Sequence, residues 1–280
     1  IGYQSGLAIT DGTNNIAIGS QALLTEDTGD YNVAIGGSAL YTQNYDGGGY
    51  NIAIGYYASK LQTTAQFNMM IGAYAGQNIT SGGTNVGIGY QAMQCYGGSL
   101  ASGGASNAGQ RNIGIGYRAL YSISNSSNPS GSGLSSRNTV IGAFAGNDMT
   151  TSTMNTFIGN SAGENALGSE NTFIGSGVSG NGYYVERTVA IGIGALTSTG
   201  QSGSVAIGYD AFKNLKVSGA ISTIDDTTPP VIGGAWEASQ SHTNIAVTSD
   251  TSVYGTGATY DIETDGSGNP TFTRVWISVR

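Results

Sequence analysis

Asp261, Glu263 and Asp265, followed by Gly266, have the one-three-five acidic spacing and the glycine of a calcium loop, in which alternate carboxylates converge on one cation. The twelfth position is Phe272, where a bidentate glutamate is needed. The stretch therefore reads as a hairpin turn. His242 is the single histidine, so a Ser/His/Asp arrangement would rest on one unsupported residue, and it reads as a surface side chain. Glu164 and Glu170 are of the type and separation a glycosidase pair could use, but two acids beside one repeat read as a solvated edge. The expectation is no catalytic residue, no cofactor and no metal. The seventeen tyrosines are more suggestive. Tyr56, Tyr90, Tyr117 and Tyr209 each follow a repeated glycine, so they should line up along one side. An aromatic face with a polar tip suits sugar rings, which makes these four candidate glycan contacts. The plainer reading, that they cover corners and pack on the next coil, is preferred.

What must position them is a repeat. The pair Ile-Gly recurs with its glycine at 2, 19, 36, 55, 72, 89, 116, 142, 159, 175, 192 and 208. A spacing that stays near 17 and departs from it mainly by insertion marks a solenoid whose coils stack one on the last. Asn stands four before the glycine in nine copies, from Asn15 to Asn171, and Thr188 and Ser204 replace it near the end. Isoleucine precedes the glycine in every copy, and a β-branched residue usually stands two earlier. These two share one face of a strand, taken as the inside of the coil. The invariant glycine fits a corner with positive φ or a close backbone approach. Alanine three places after it points to a thin coil with a second strand close to the first.

The column two before the glycine reads Ala17, Ala34, Ala53, Met70, Gly87, Gly114, Val140, Phe157, Phe173, Ala190, Ala206, with no polar side chain. A strand wet on that side would alternate apolar and polar residues. Both faces are apolar, and with the isoleucines inside, this column needs a partner, most simply identical chains about an axis. Met70, Val140, Phe157 and Phe173 are the expected interface residues, and the contact should be thickest between Thr139 and Phe173.

The run N-x-A-I-G-x-x-A resembles the head repeats of trimeric autotransporter adhesins and, equally, the repeats of bacteriophage tail fibres. The match covers roughly residues 1–212. It departs from the adhesin heads in its longer spacing and its Thr-Phe variants. The resemblance implies a parallel β-roll packed as a homotrimer. The segment GTGATYDIETDGSGNPTFTRV, residues 255–275, looks like a small β module of tailed-phage virion proteins, which often continues past this point. It favours a phage tail fibre in the virion, with other tail proteins and a host surface polysaccharide or protein receptor as partners. A bacterial adhesin head at the cell surface and a polysaccharide-degrading tailspike are the alternatives.

Composition agrees. Of 280 residues 47 are Gly and only 9% are charged, while 39% are hydrophobic, so the chain is neither an ordinary globular domain nor a disordered one. Seventeen acidic and nine basic residues give a net charge of −8, with the basic residues scattered, which argues against nucleic acid as a partner. No apolar run reaches the ~18 residues of a membrane-spanning helix. Cys95 is alone, so no intrachain disulfide forms. Ile1 falls inside a repeat, so the true start is expected upstream. The expected architecture is all-β: a parallel β-solenoid of about twelve coils over 1–212, a connector at 213–230 and a small β module at 231–280. Polar insertions at 94–110 and 121–137 should leave the rod as loops.

Overall fold

A three-residue strand is marginal alone, and here every strand but the two at the ends of the sheet is held by the corresponding strand of the coil on either side. The computed structural model describes residues 1–95, 109–122, 135–149, 152–178, 184–196, 202–203, 205–211, 263–264 and 270–271. Eleven strands occupy the repeat: β1 (Ile16–Ile18), β2 (Val33–Ile35), β3 (Ile52–Ile54), β4 (Met69–Ile71), β5 (Val86–Ile88), β6 (Ile113–Ile115), β7 (Thr139–Ile141), β8 (Thr156–Ile158), β9 (Thr172–Ile174), β10 (Val189–Ile191) and β11 (Val205–Ile207). They form one parallel sheet in sequence order, with each position of the repeat paired to itself, as in Ala34 with Ala53 and Phe157 with Phe173. No helix occurs among the described residues. The described repeat is therefore an all-β parallel solenoid. A separate pair, β12 (Glu263–Thr264) and β13 (Pro270–Thr271), is antiparallel, with Glu263 opposite Thr271. Most of the two insertions, the connector and the rest of the last fifty residues, His242 included, lie outside the described residues.

The inside of the coil is the opposite of the expected one. Ala34, Ala53, Met70, Val140, Phe157, Phe173, Ala190 and Ala206 are all fully buried within the single chain. Ile18, Ile141, Ile158 and Ile207 are instead about 40% exposed. Met70, Val140, Phe157 and Phe173 are therefore core residues, not interface residues, and the isoleucine columns face outward. Width explains the inversion. The interior is too narrow for two facing rows of isoleucine, so the inward column is mostly Ala or Gly, and where it grows the residue six later shrinks. Phe157 sits over Gly163, where an added Cβ would lie under 2.5 Å from the ring, and Met70 sits over Gly76, where it would lie 2.7 Å from Cγ and Sδ. Conversely Gly87 faces Met93, Gly114 faces Leu120, and the alanines at 17, 34 and 190 pair with Leu23, Leu40 and Leu196. Around Thr139–Ile141 to Thr172–Ile174 the core, not a subunit contact, is thickest, with Phe157 and Phe173 stacked at 4.8 Å and 3°.

After each repeated glycine the chain does not make the expected second strand. It runs through turns in which residues two and four places on take positive φ, as at Gln21 (58°) and Leu23 (52°). Their amides still bond from coil to coil: Tyr74 N–H donates to Tyr56 O at 2.8 Å, and Leu23 N–H to Ala39 O at 2.9 Å. Because the corners continue the ladder, few backbone groups are left without a partner.

The asparagine column is also internal. Asn32, Asn51, Asn68, Asn85, Asn112, Asn138, Asn155 and Asn171 are buried. Each Oδ1 accepts the backbone N–H at the same place in the next coil, as Asn112 does from Asn138 at 3.1 Å and Asn171 from Thr188 at 3.0 Å, and from Asn51 to Asn171 each Nδ2 bonds a carbonyl across the coil, as Asn112 does to Ser135 at 3.0 Å; Asn32 Nδ2 alone among the eight has no protein partner. This polar row lies in the core because its side chains close their bonds on one another.

One core column contains a conflict. Seven places after the glycine stand Ile9, Glu26, Gln43, Gln62 and Ile79. Glu26 is fully buried; its Oε1 accepts from Gly29 N–H at 2.8 Å, while Oε2 has no protein partner. Burial pushes this carboxyl above its ordinary value of 4.5, against the opposing pull of the backbone bonds. A raised folded value means that the group's favourable contribution is complete below the ordinary value and is lost as pH rises through the raised one. Glu26→Gln keeps the volume and removes the charge. Thermal melts should show the variant more stable than wild type at pH 7 and equal to it at pH 4; equal melting at both values would mean Glu26 is not desolvated.

Candidate functional site

The residues just after the glycines, at the corner beyond the sheet, build an aromatic track. Tyr56, Tyr90 and Tyr117 occupy the first place, and Tyr57, Tyr74 and Phe144 the second. The rings connect across five coils. Tyr56 stacks on Tyr57 at 3.9 Å, both meet Tyr74 edge-on, Tyr74 meets Tyr90 at 5.9 Å, Tyr90 stacks on Tyr117 at 5.8 Å, and Tyr117 meets Phe144 at 5.0 Å. Three of the four tyrosines expected to align do so. Tyr209 does not join them: Ala143, Asn160, Ser176 and Ile193 hold the intervening first places, and Tyr209 stands exposed. Tyr57, Tyr74 and Phe144 lie outside the expected column, although their place beside it is visible in the repeat.

Cations cap the track. Lys60 Nζ lies 3.9 Å from the Tyr57 ring centroid, and the Arg118 guanidinium lies 5.5 Å from Tyr117 and 4.7 Å from Tyr121, anchored by Nε donating to Gln91 Oε1 at 2.8 Å. The Tyr56 hydroxyl donates to that of Tyr57, which with Lys60 nearby pulls the Tyr57 phenol below its ordinary range and pushes Tyr56 up to about 12.

The second surface is the outer face of the sheet. The isoleucine before each glycine and the residue two earlier form two columns, from Ile16 and Ile18 to Val205 and Ile207. At its edge Tyr31, Tyr50 and Phe67 stack in parallel at 4.9 and 5.2 Å. With strands ~4.8 Å apart and three residues long, the face measures on the order of 500 Å², near the limit of what a monomer leaves in water.

Asp261, Asp265 and Phe272 of the candidate calcium loop lie outside the described residues. Glu170 holds an exposed corner just before the core residue Asn171, with φ at 63°, whereas Glu164 lies in the loop after Gly163. Among the described residues no cluster of three or more metal-ligating side chains occurs. No described helix is long and apolar enough to cross a membrane.

No family model, curated protein or solved structure matches this chain. The two surfaces therefore carry the functional argument.

Proposed function

We propose that the chain is the repeat segment of a homotrimeric attachment fibre, of a phage tail in the first instance and of a bacterial adhesin in the second. The observation that supports it is the outward isoleucine face on a coil that already has its own buried core. A core satisfied within one chain leaves no internal reason for isoleucine before all twelve glycines. A row of copies about an axis supplies one. Finishing the burial of a side chain already about 60% covered contributes roughly 1 kcal/mol. Summed along eleven strands, that is of the size of the 4–15 kcal/mol entropic cost of association. A short stretch of the same face would fall below that cost, so association should need most of the rod's length. The resemblance of the repeat to trimeric families selects three copies, and the fibre's target is a polysaccharide or protein at a cell surface.

Light scattering on the wild-type chain should give three times the monomer mass. Ile115→Asp with Ile141→Asp puts six carboxylates at the shared axis, where desolvation and like charge oppose assembly. The double variant should be a folded monomer with an unchanged β-type far-ultraviolet spectrum. A soluble wild-type monomer would sink the proposal. Phage and adhesin separate on a micrograph of the native particle.

A further inference from the structure

The charges are not spread as evenly as the basic residues suggested. Between Asp46 and Asp148 the sequence contains no Asp or Glu at all, while it holds Lys60, Arg111, Arg118 and Arg137. That segment carries four positive charges and no negative ones, a net +4. The rest, with five basic and seventeen acidic residues, carries −12, which sums to the −8 of the whole. The aromatic track from Tyr56 to Phe144 falls wholly inside the acid-free segment. Lys60 and Arg118 are held over tyrosine rings and not against carboxylates; the one ion pair seen among the described residues is Arg187 with Glu186, outside it.

We infer that this track binds an acidic polysaccharide, a chain of sugars carrying carboxylates, laid along the rod axis. The inference rests on the attachment reading and names its ligand class. Ring faces and edges exposed at Tyr56, Tyr90 and Tyr117 offer apolar contact to the C–H faces of sugar rings, with phenol hydroxyls beside them. Lys60 and Arg118 stand three coils apart, about 14 Å at ~4.8 Å per coil, so they address separate acidic groups of a repeating polymer. Each such carboxylate meets one cation that is paired with no carboxylate of the chain, on a molecule that otherwise repels anions. Arg111 and Arg137, on adjacent corners of the sheet's other edge, reinforce the field. A nucleic acid fits less well, because a phosphate at every step calls for a continuous row of cations and the track has two, three coils apart.

The test is titration calorimetry of the full chain with polygalacturonate, with dextran as the uncharged polymer and oligothymidylate as the nucleic acid, and with light scattering on every sample. Polygalacturonate should bind and dextran bind at least tenfold more weakly. Lys60→Gln with Arg118→Gln should weaken polygalacturonate binding tenfold or more and flatten its salt dependence, and Tyr90→Ala should weaken it with the salt dependence kept. Equal binding of dextran, binding of oligothymidylate alone, or binding unchanged in the charge variant overturns the inference. So does dissociation of the oligomer by these exposed substitutions, which would place the track in a subunit contact. Polygalacturonate binding by a wild-type monomer would retain this inference while removing the trimer.

Discussion

Gly142→Ala should unfold the coils on either side of it. The glycine has φ at +140°, and a Cβ added to it would press on the Gly159 backbone, well inside 3 Å of that carbonyl oxygen and 2.6 Å from its carbon. The strained backbone alone costs on the order of 1–3 kcal/mol, and the clash adds to it because neither partner is a side chain that can rotate away. Gly142 is one of a stack running from Gly2 to Gly208, so separating one pair breaks contact on both neighbours. In a solenoid, stability is close to a sum of nearest-neighbour terms, and hydrogen exchange should show protection lost first around β7 and β8 and kept at β1 to β3. Gly177 is the control. It has φ at +62° with nothing within 4 Å of an added Cβ, and its column accepts Gln21, Ser38 and Tyr57 elsewhere. Gly177→Asn should leave protection and melting within error of wild type; a Gly142 variant equally unaffected would show that the coils are not stacked this closely.

Phe157→Ala should cost about 3–5 kcal/mol, the usual result of emptying a buried phenylalanine site. The ring is fully buried, stacks on Phe173 and lies against Gly163. The same variant with Gly163→Leu should regain most of the loss, since it recreates the Ala/Leu pairing of Ala17 with Leu23 and Ala34 with Leu40. Residue 163 has φ at +61°, and Leu23, Leu40 and Leu196 adopt 52°, 48° and 57° at the same place in the repeat, so leucine there is compatible with the backbone. Urea melts of wild type, both single variants and the double variant measure the coupling. Gly163→Leu alone should be destabilised by overpacking. If Phe157→Ala changed molar mass and left unfolding free energy alone, the side chain would face another subunit and the assignment of the inside would be wrong.

The volume pairing behind that prediction is written in the residue types themselves. Met70 with Gly76, Val140 with Gly146 and Phe157 with Gly163, against Gly87 with Met93 and Gly114 with Leu120, are size exchanges six residues apart. They identify the inward column more surely than the size of the isoleucines, which points the wrong way. The aromatic track is half legible: a single column shows Tyr56, Tyr90 and Tyr117, but only the folded chain shows that Tyr74 carries the line from Tyr56 to Tyr90 over the coil where the first place is Ala73. The capping by Lys60 and Arg118 is not legible, because it depends on which way long side chains turn.

From the sequence alone followed the parallel β-solenoid, the place of the strand that ends at each Ile-Gly pair and the mutual register of those strands, but not the turns that replace the expected second strand. The reason is that a repeat held near 17 residues with an unvarying glycine stacks like on like, and a single-residue slip would set Cβ atoms against the glycine backbones. Only the tertiary structure decided which apolar face closes the core. A period of two distinguishes two faces and leaves them equivalent when both are apolar, and the choice is made by the width of the coil. A narrow interior admits Ala, Gly and compensated Phe, encloses asparagines whose bonds close on one another, and turns the isoleucines outward.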